Sequence, residues 1–271
     1  MRAKKSLGQH FLRSERALSV IIETGDLKDG ETVLEIGPGE GVLTEKLLGA
    51  RCLVLAVEKD DNLFESLKEK FKKEISSKQL ILIHDDILNF EFRSYNLAPR
   101  TYKLVANIPY HITGALLEKF LSAQYQPETM VLLVQKEVAQ RIIGLFGSKA
   151  SKKESILSIS VKVYGAPRYV ETVKAGSFVP MPKVDSAIIL IENISKNFFG
   201  SKASKISEDD FFKILKAGFR AKRKKLSSNL STIFPKSIVL EAFRELKLNE
   251  NTRAEDLNVE IWQKLTLLIK N

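Results

Sequence analysis

A short apolar stretch, Thr32–Ile36, runs straight into Gly37-Pro38-Gly39-Glu40-Gly41, and a new apolar periodicity starts at Val42. Glycines so closely spaced admit backbone conformations that other residues avoid. A strand that turns at once into a helix also presents main-chain N–H groups at the helix start. In open α/β sheets ligands bind at such strand ends. The same glycines also suit a plain tight turn between strand and helix, so the turn alone does not define a function.

The surrounding pattern extends this motif into an architecture. Residues 14–24 read as an amphipathic helix with Ser14 as its N-cap. Strands are predicted at Thr32–Ile36, Cys52–Val57, Gln79–His84, Tyr102–Ala106 and Met130–Val134. Helices are predicted near Val42–Leu48, Asn62–Phe71 and Thr113–Leu121, and again around Val138 and Ile142. Alternation of this kind predicts an α/β fold with a mostly parallel sheet and helices on both faces. Residues 156–164 and 186–191 read as two late strands, an antiparallel edge pair joined by the Gly- and Pro-containing stretch 165–183. The segment NISKNFFGSKASKISEDD is polar and aperiodic and reads as a linker. Beyond it, Asp210–Leu215, Ser237–Leu246 and Glu260–Ile269 read as helices of a small all-α domain. The expected boundaries are 1–194 for the sheet domain and 195–271 for the helical one.

Charge separates the two parts. The chain of 271 residues has 43 Lys+Arg against 33 Asp+Glu, a net of +10. From Lys196 to Asn271 there are 16 basic and 9 acidic residues, a net of +7, which leaves only +3 for the rest. A small, strongly basic segment suggests a polyanionic partner such as nucleic acid, although solubility charge has the same composition. Within it, Arg220, Lys222, Arg223, Lys224 and Lys225 form a run without an intervening acid, suited to phosphate contacts or to a solvated helix face. One cysteine, Cys52, excludes an internal disulfide and fits a reducing compartment. No apolar run approaches the ~18 residues of a membrane span, and the N-terminus has no secretory pattern. A cytoplasmic protein is expected, with no membrane partner and, by default, a monomer. The three histidines are scattered, so no metal site is expected.

Four further features carry chemistry. Glu35 and Glu40 place acids at the glycine turn, which disfavours a phosphate-bearing cofactor and tolerates a cationic ligand; S-adenosylmethionine, with a sulfonium and an ammonium, has the right charge. Glu58 follows Gly37 by 21 residues, the place of an acid that binds ribose hydroxyls. Asp60 and Asp61 beyond it suit helix capping. Asp85-Asp86 ends the third strand, and Asp86 could accept from an adenine amine or cap a loop. Asn107-Ile108-Pro109-Tyr110 is the most specific motif. A carboxamide oxygen and a main-chain carbonyl can accept both hydrogens of an exocyclic amine, drawing its lone pair out of conjugation. The proline fixes the backbone, and the aromatic ring can stack on a base. Phe178, within Ser177–Ser186, could form a second aromatic wall or a core residue.

Taken together, Leu7–Leu12, Glu35–Gly41, Asn107–Tyr110, Gln135–Arg141, Phe178–Ser186 and Arg220–Leu226 make the chain resemble the bacterial small-subunit (16S) ribosomal RNA adenine dimethyltransferases, nearly end to end. The resemblance implies a Rossmann-like seven-stranded methyltransferase sheet with a small C-terminal helical domain. It also implies S-adenosylmethionine-dependent N6,N6-dimethylation of two adjacent adenosines in a hairpin near the RNA 3′ end, in a partly assembled 30S particle, with S-adenosylhomocysteine as product. Gln9, His10 and Leu12 would line the cofactor site. Gly37, with Gly39 beside it, would contact the methionine part, Glu58 the ribose and Asp86 the adenine. Asn107 would touch cofactor and target amine, Pro109 would present its carbonyl, and Tyr110 and Phe178 would flank the base. Two positions depart from the family pattern: the acid is doubled at Asp85-Asp86, and Ile108 stands where leucine is common. Isoleucine there is similar to the related large-subunit RNA methylases of the antibiotic-resistance type. A third reading keeps the fold as an assembly checkpoint that binds immature subunits, with catalysis secondary.

Overall fold

The computed structural model describes residues 9–95, 97–145, 153–199 and 206–270. Leu7 and Gly8 of the N-terminal motif and the middle of the expected linker lie outside them. The chain divides into two compact units, residues 1–139 with 166–194, and residues 140–165 with 195–271. The stretch 140–165, expected with the sheet, therefore groups with the C-terminal helices.

In the first unit, β1 (Phe11–Leu12) precedes α1 (Glu15–Gly25), whose Ser14 cap accepts from the Ala17 N–H at 3.3 Å. There follow β2 (Thr32–Ile36), α2 (Val42–Gly49), β3 (Leu53–Glu58), α3 (Asp61–Lys70), α4 (Lys72–Ser76), β4 (Leu80–His84), β5 (Tyr102–Asn107), α5 (Thr113–Ser122) and β6 (Thr129–Gln135). Then α6 (Lys136–Ile143) crosses the division between the units, and α7 (Ile156–Lys162) belongs to the second. The first unit resumes with β7 (Ala166–Val173), β8 (Phe178–Val179) and β9 (Ser186–Glu192).

Seven strands form one sheet in the order β4-β3-β2-β5-β6-β9-β7. The first five run parallel, and β9 is antiparallel to both β6 and β7. Continuous apolar runs such as Val54–Val57 and Leu104–Ala106 are buried, as strands covered on both faces must be. The expected α/β sheet is thus present, with one correction. Residues 156–164 are not an edge strand. Their alternating Ile/Ser/Val pattern imitates a strand, but Ser155 and Ser158 cap each other reciprocally and start α7. The edge strand is β7, inside the stretch expected as a connection; its Pro167 is tolerated because, among the described residues, no strand pairs with its outer side. A separate two-stranded pairing, Phe11 with Val179 and Leu12 with Phe178, was not legible in the sequence.

The second unit contains α7, α8 (Glu208–Gly218), α9 (Leu226–Leu230), α10 (Lys236–Glu245) and α11 (Val259–Lys270). Residues 140–165 join it through specific contacts. The Glu154 N–H donates to the Glu255 carbonyl at 2.8 Å, and the Tyr164 hydroxyl donates to Glu208. Phe198 and Phe199, inside the expected linker, pack edge-on against Phe211. Trp262 is fully buried and stacks on Phe219 with centroids 5.7 Å apart.

Candidate active site and basic loop

Strand register builds the site. Ile36 pairs with Val57 on one side and Ala106 on the other, and Glu58 pairs with His84. One residue further on, Gly37, Glu58, His84 and Asn107 therefore stand level at the carboxyl ends of four neighbouring strands, and Asp85 follows His84, its N–H donating to the Glu58 carbonyl at 3.1 Å. Strand order reverses between β2 and β5, and this is where a sheet opens a crevice for ligands. The crevice is lined by Gln9, His10, Phe11, Gly37, Gly39, Glu58, Lys59, Asp85, Asp86 and the whole of Asn107–Tyr110, with an apolar floor that includes Ile36, Val57 and Leu63.

The glycine turn is held by its own backbone. Gly37, Gly39 and Gly41 all have φ between 61° and 77°. The Gly37 N–H donates to the Val57 carbonyl at 3.0 Å. A side chain on Gly39 would meet the Phe11 ring at 3.0 Å, and one on Gly41 the Phe71 ring at 2.5 Å. A side chain on Gly37 would enter open space, so that position keeps the backbone approachable from the crevice.

The acids divide by surroundings. Glu58 accepts from the Gly39 N–H at 3.2 Å and the Asp60 N–H at 2.8 Å, tying the turn to the end of β3; burial raises its pKa, against these donors. Asp60 caps α3, accepting from Asn62 and Leu63. Asp86 accepts from Lys59 Nζ at 2.7 Å and from the Leu88 N–H at 3.0 Å, and the Lys59 bond holds its carboxyl below the usual range. Glu35 and Glu40 do not supply the crevice charge expected of them. Glu35 is 1% exposed and burial pushes its pKa up to about 8, so it is mostly protonated at neutral pH. Glu40 pairs with Arg13. The acids facing the crevice are Glu58, Asp85 and Asp86.

At the opposite wall, Asn107 Nδ2 donates to the His10 carbonyl at 3.1 Å. The Tyr110 hydroxyl lies 2.9 Å from Ser186 Oγ, and burial raises its pKa. The His10 ring stacks on Tyr110, with centroids 5.7 Å apart and planes at 26°. Gln9, His10, Gly37, Gly39, Glu58, Asp86, Asn107, Pro109 and Tyr110 are thus brought to one crevice. Leu12 and Phe178 are not. They face each other across the β1–β8 pair, are 5% and 2% exposed, and belong to the core. Phe11 and Lys59 line the crevice without having been anticipated. Phe11 sits inside the N-terminal motif and could have been found there; Lys59 carries no sequence signal.

The basic run is a turn, not a helix face. Arg220–Lys225 connects α8 to α9, and Arg220, Lys222, Arg223, Lys224 and Lys225 are all exposed. Buried Asn229 organises the turn, its Nδ2 donating to the carbonyls of Gly218 at 2.7 Å and Ala221 at 3.1 Å. Among the described residues no three His, Cys, Asp or Glu side chains converge on a metal position, and no helix is long and apolar enough to cross a membrane.

A seven-stranded sheet with a glycine turn, an acid at the end of the next strand and an Asn-Ile-Pro-Tyr corner in one crevice defines the methyltransferase class. The chain belongs to the ribosomal RNA adenine dimethylase family, whose model matches residues 1–271. Adenine dimethylation of ribosomal RNA is the activity that this membership gives it. It is similar to the ribosomal RNA small subunit methyltransferase A of Dehalococcoides mccartyi, 42% identical over 269 residues, covering 98% of this chain and 88% of that protein. The protein of the same name from Fusobacterium nucleatum is 36% identical, covering 95% of this chain and 94% of its own length. Among solved structures, a dimethyladenosine transferase from Plasmodium falciparum matches with a TM-score of 0.78 at 28% identity, covering 95% of this chain and 96% of that one. The 23S rRNA methyltransferase ErmE matches with a TM-score of 0.75 at 27% identity, covering 96% of this chain and 100% of that one.

Proposed function

We propose that this chain transfers methyl groups from S-adenosylmethionine to N6 of two adjacent adenosines in a hairpin near the 3′ end of small-subunit ribosomal RNA, within a partly assembled particle. The observation that carries the reading is the Asn107–Tyr110 corner opening onto the same crevice as Gly37 and Glu58. The small-subunit target rests on the D. mccartyi and F. nucleatum relatives, which are more similar to this chain than ErmE is.

The crevice fits the donor by charge and shape. Three carboxylates face it, which suits a sulfonium and an ammonium and opposes a phosphate. Gly37 leaves its backbone open to the methionine part, Glu58 would take the ribose hydroxyls, and Asp86 would take the adenine amine once Lys59 yields it. Gln9, His10, Phe11 and Gly39 complete that wall. When bound, the donor supplies an electrophilic methyl group.

The chain's own work is positioning. Asn107 Oδ1 and the main-chain carbonyl of Ile108 or Pro109 accept the two hydrogens of the target amine, freeing its lone pair. The amine becomes acidic only after alkylation, so no strong base is needed in the corner. Tyr110 offers a flat, electron-rich face that tolerates the developing positive charge. Phe178 reaches a base only by leaving the core; otherwise it serves the donor side by holding Leu12 and the segment before it. The target adenine must be unstacked to enter. Arg220, Lys222, Arg223, Lys224 and Lys225 hold the RNA by its phosphates.

The test is labelled methyl transfer to unmodified small and large subunits, separately, with the modified nucleotides identified by mass. Two dimethylated adjacent adenosines in small-subunit RNA are expected. Label appearing only in large subunits would replace the target, and no label in either would remove the reading.

A further inference from the structure

Two hydrogen bonds and a ring stack meet at one residue of the N-terminal segment. The main-chain carbonyl of His10 accepts from Asn107 Nδ2 at 3.1 Å. Its imidazole Nδ1 lies 2.7 Å from the Pro180 carbonyl, and its ring stacks on Tyr110. A carbonyl oxygen can only accept, so Nδ1 must carry the proton towards Pro180. The same logic fixes Asn107. A carboxamide turned the other way would set its oxygen against the His10 carbonyl, so the nitrogen must face His10 and the oxygen must face away from it.

Asn107 itself cannot secure this choice. Its side chain ends a strand at a crevice, and amide oxygen and nitrogen are nearly the same size. A flipped amide would present two donors to an amine that needs an acceptor, which converts attraction into repulsion. The partner that prevents the flip has to be held in place, and His10 lies before β1, outside its two paired positions, so the strand pairing does not itself hold the His10 carbonyl. The imidazole supplies the missing restraint by tying the segment to Tyr110 on one side and to Pro180 on the other.

We propose that His10 is a positioning residue for methyl transfer: its carbonyl fixes the Asn107 carboxamide with the oxygen towards the target amine, and its ring locks that carbonyl in place against Tyr110 and Pro180. This goes beyond the cofactor-lining role that the family resemblance implies, and it rests on the proposed role of Asn107.

The test uses the full chain with His10→Ala, which removes both ring interactions, and His10→Phe, which keeps the stack without the bond to Pro180. Single-turnover methyl transfer, donor affinity by calorimetry and RNA affinity are measured for each. His10→Ala is expected to slow single turnover by about 100-fold, the scale of an ångström-sized misplacement, with RNA affinity within about two-fold of the parent and a loss of donor affinity much smaller than the loss of rate. His10→Phe should recover part of the rate. A double-mutant cycle with Asn107→Ser, which replaces the carboxamide by a hydroxyl, distinguishes the route. If His10 acts through Asn107, His10→Ala costs little in that background. Additive losses, a parent-like rate in His10→Ala, or a loss confined to donor affinity would overturn the proposal. If Asn107→Ser instead transfers at the parent rate, it is the role of Asn107 that fails.

Discussion

The crevice of the sheet unit and the basic turn of the helical unit are built in opposite ways. At the crevice the side chains are committed before any ligand arrives. Glu58 is bonded to two backbone N–H groups, Asn107 to His10, Tyr110 to Ser186 and Asp86 to Lys59. At the turn, Lys222, Arg223, Lys224 and Lys225 are exposed, and among the described residues none is in an ion pair. Only the backbone beneath them is fixed, by Asn229. Chemistry on one amine needs an error well below an ångström, which long, free side chains cannot deliver. Holding a polyanion needs reach and charge, which preorganisation would restrict. The difference predicts that substitutions at the two places separate rate from affinity.

Asn107→Ala should give the largest effect. Turnover is expected to fall by about two to three orders of magnitude, the scale of one hydrogen-bonding group lost from a preorganised site, while RNA affinity stays near that of the parent. Methyl transfer and RNA binding measured on the same preparation check this. Full turnover would show that the crevice is not where the amine is held.

Replacing Lys222, Arg223, Lys224 and Lys225 together by Gln should do the reverse. RNA affinity falls, and the slope of log affinity against log salt flattens by about one for each phosphate that is no longer neutralised. The rate at saturating RNA should hold. An unchanged slope would make the turn a solvated surface and end the comparison.

Asn229→Ala acts on the same turn without touching its charge. It leaves the Gly218 and Ala221 carbonyls without their donor, at a cost of about 1–3 kcal/mol in stability. RNA affinity should weaken less than in the charge-neutral variant, and donor affinity should not move. Denaturant unfolding with parallel binding assays separates the two effects. A parent-like affinity would mean that the cations need no framework at all.

Legibility follows a similar division. The strands of the crevice were readable because buried parallel strands are continuous apolar runs, and the acids were readable because their place at strand ends follows from register. What failed was local competition. The alternation of Ile159, Val161 and Val163 reads as a strand until the Ser155–Ser158 cap is considered. Leu12 and Phe178 were placed at the site by resemblance, but their pairing joins residues 166 positions apart, and nothing in either segment announces which face turns inward. Glu35 was read as a charge because a sequence does not reveal burial. The aromatic pair Phe198-Phe199 was hidden among Ser and Lys, although two adjacent large apolar residues in a polar stretch were a signal for packing.

Glu35 yields the smallest effect on activity and the sharpest check on where the crevice charge resides. Burial raises its pKa from 4.5 to about 8, the Thr44 hydroxyl works against this, and the charge of Glu58 adds to it. Neither Glu35 Oε2 nor Thr44 Oγ1 makes a hydrogen bond of ordinary geometry. Between those two pKa values the folded chain keeps a proton that the unfolded chain has released. Stability therefore falls as pH rises through that window and levels off above it, at about 1.4 kcal/mol per unit at most. Glu35→Gln preserves the shape and removes the titration. Its unfolding free energy should change less between pH 5 and pH 8 than that of the parent, with the gap widest at alkaline pH, while methyl transfer at pH 7 changes little. Denaturant titrations across that range decide the matter. Parallel profiles would mean that Glu35 ionises in the folded chain and adds a fourth carboxylate near Glu58, so that the charge around the glycine turn is larger than Glu58, Asp85 and Asp86 supply.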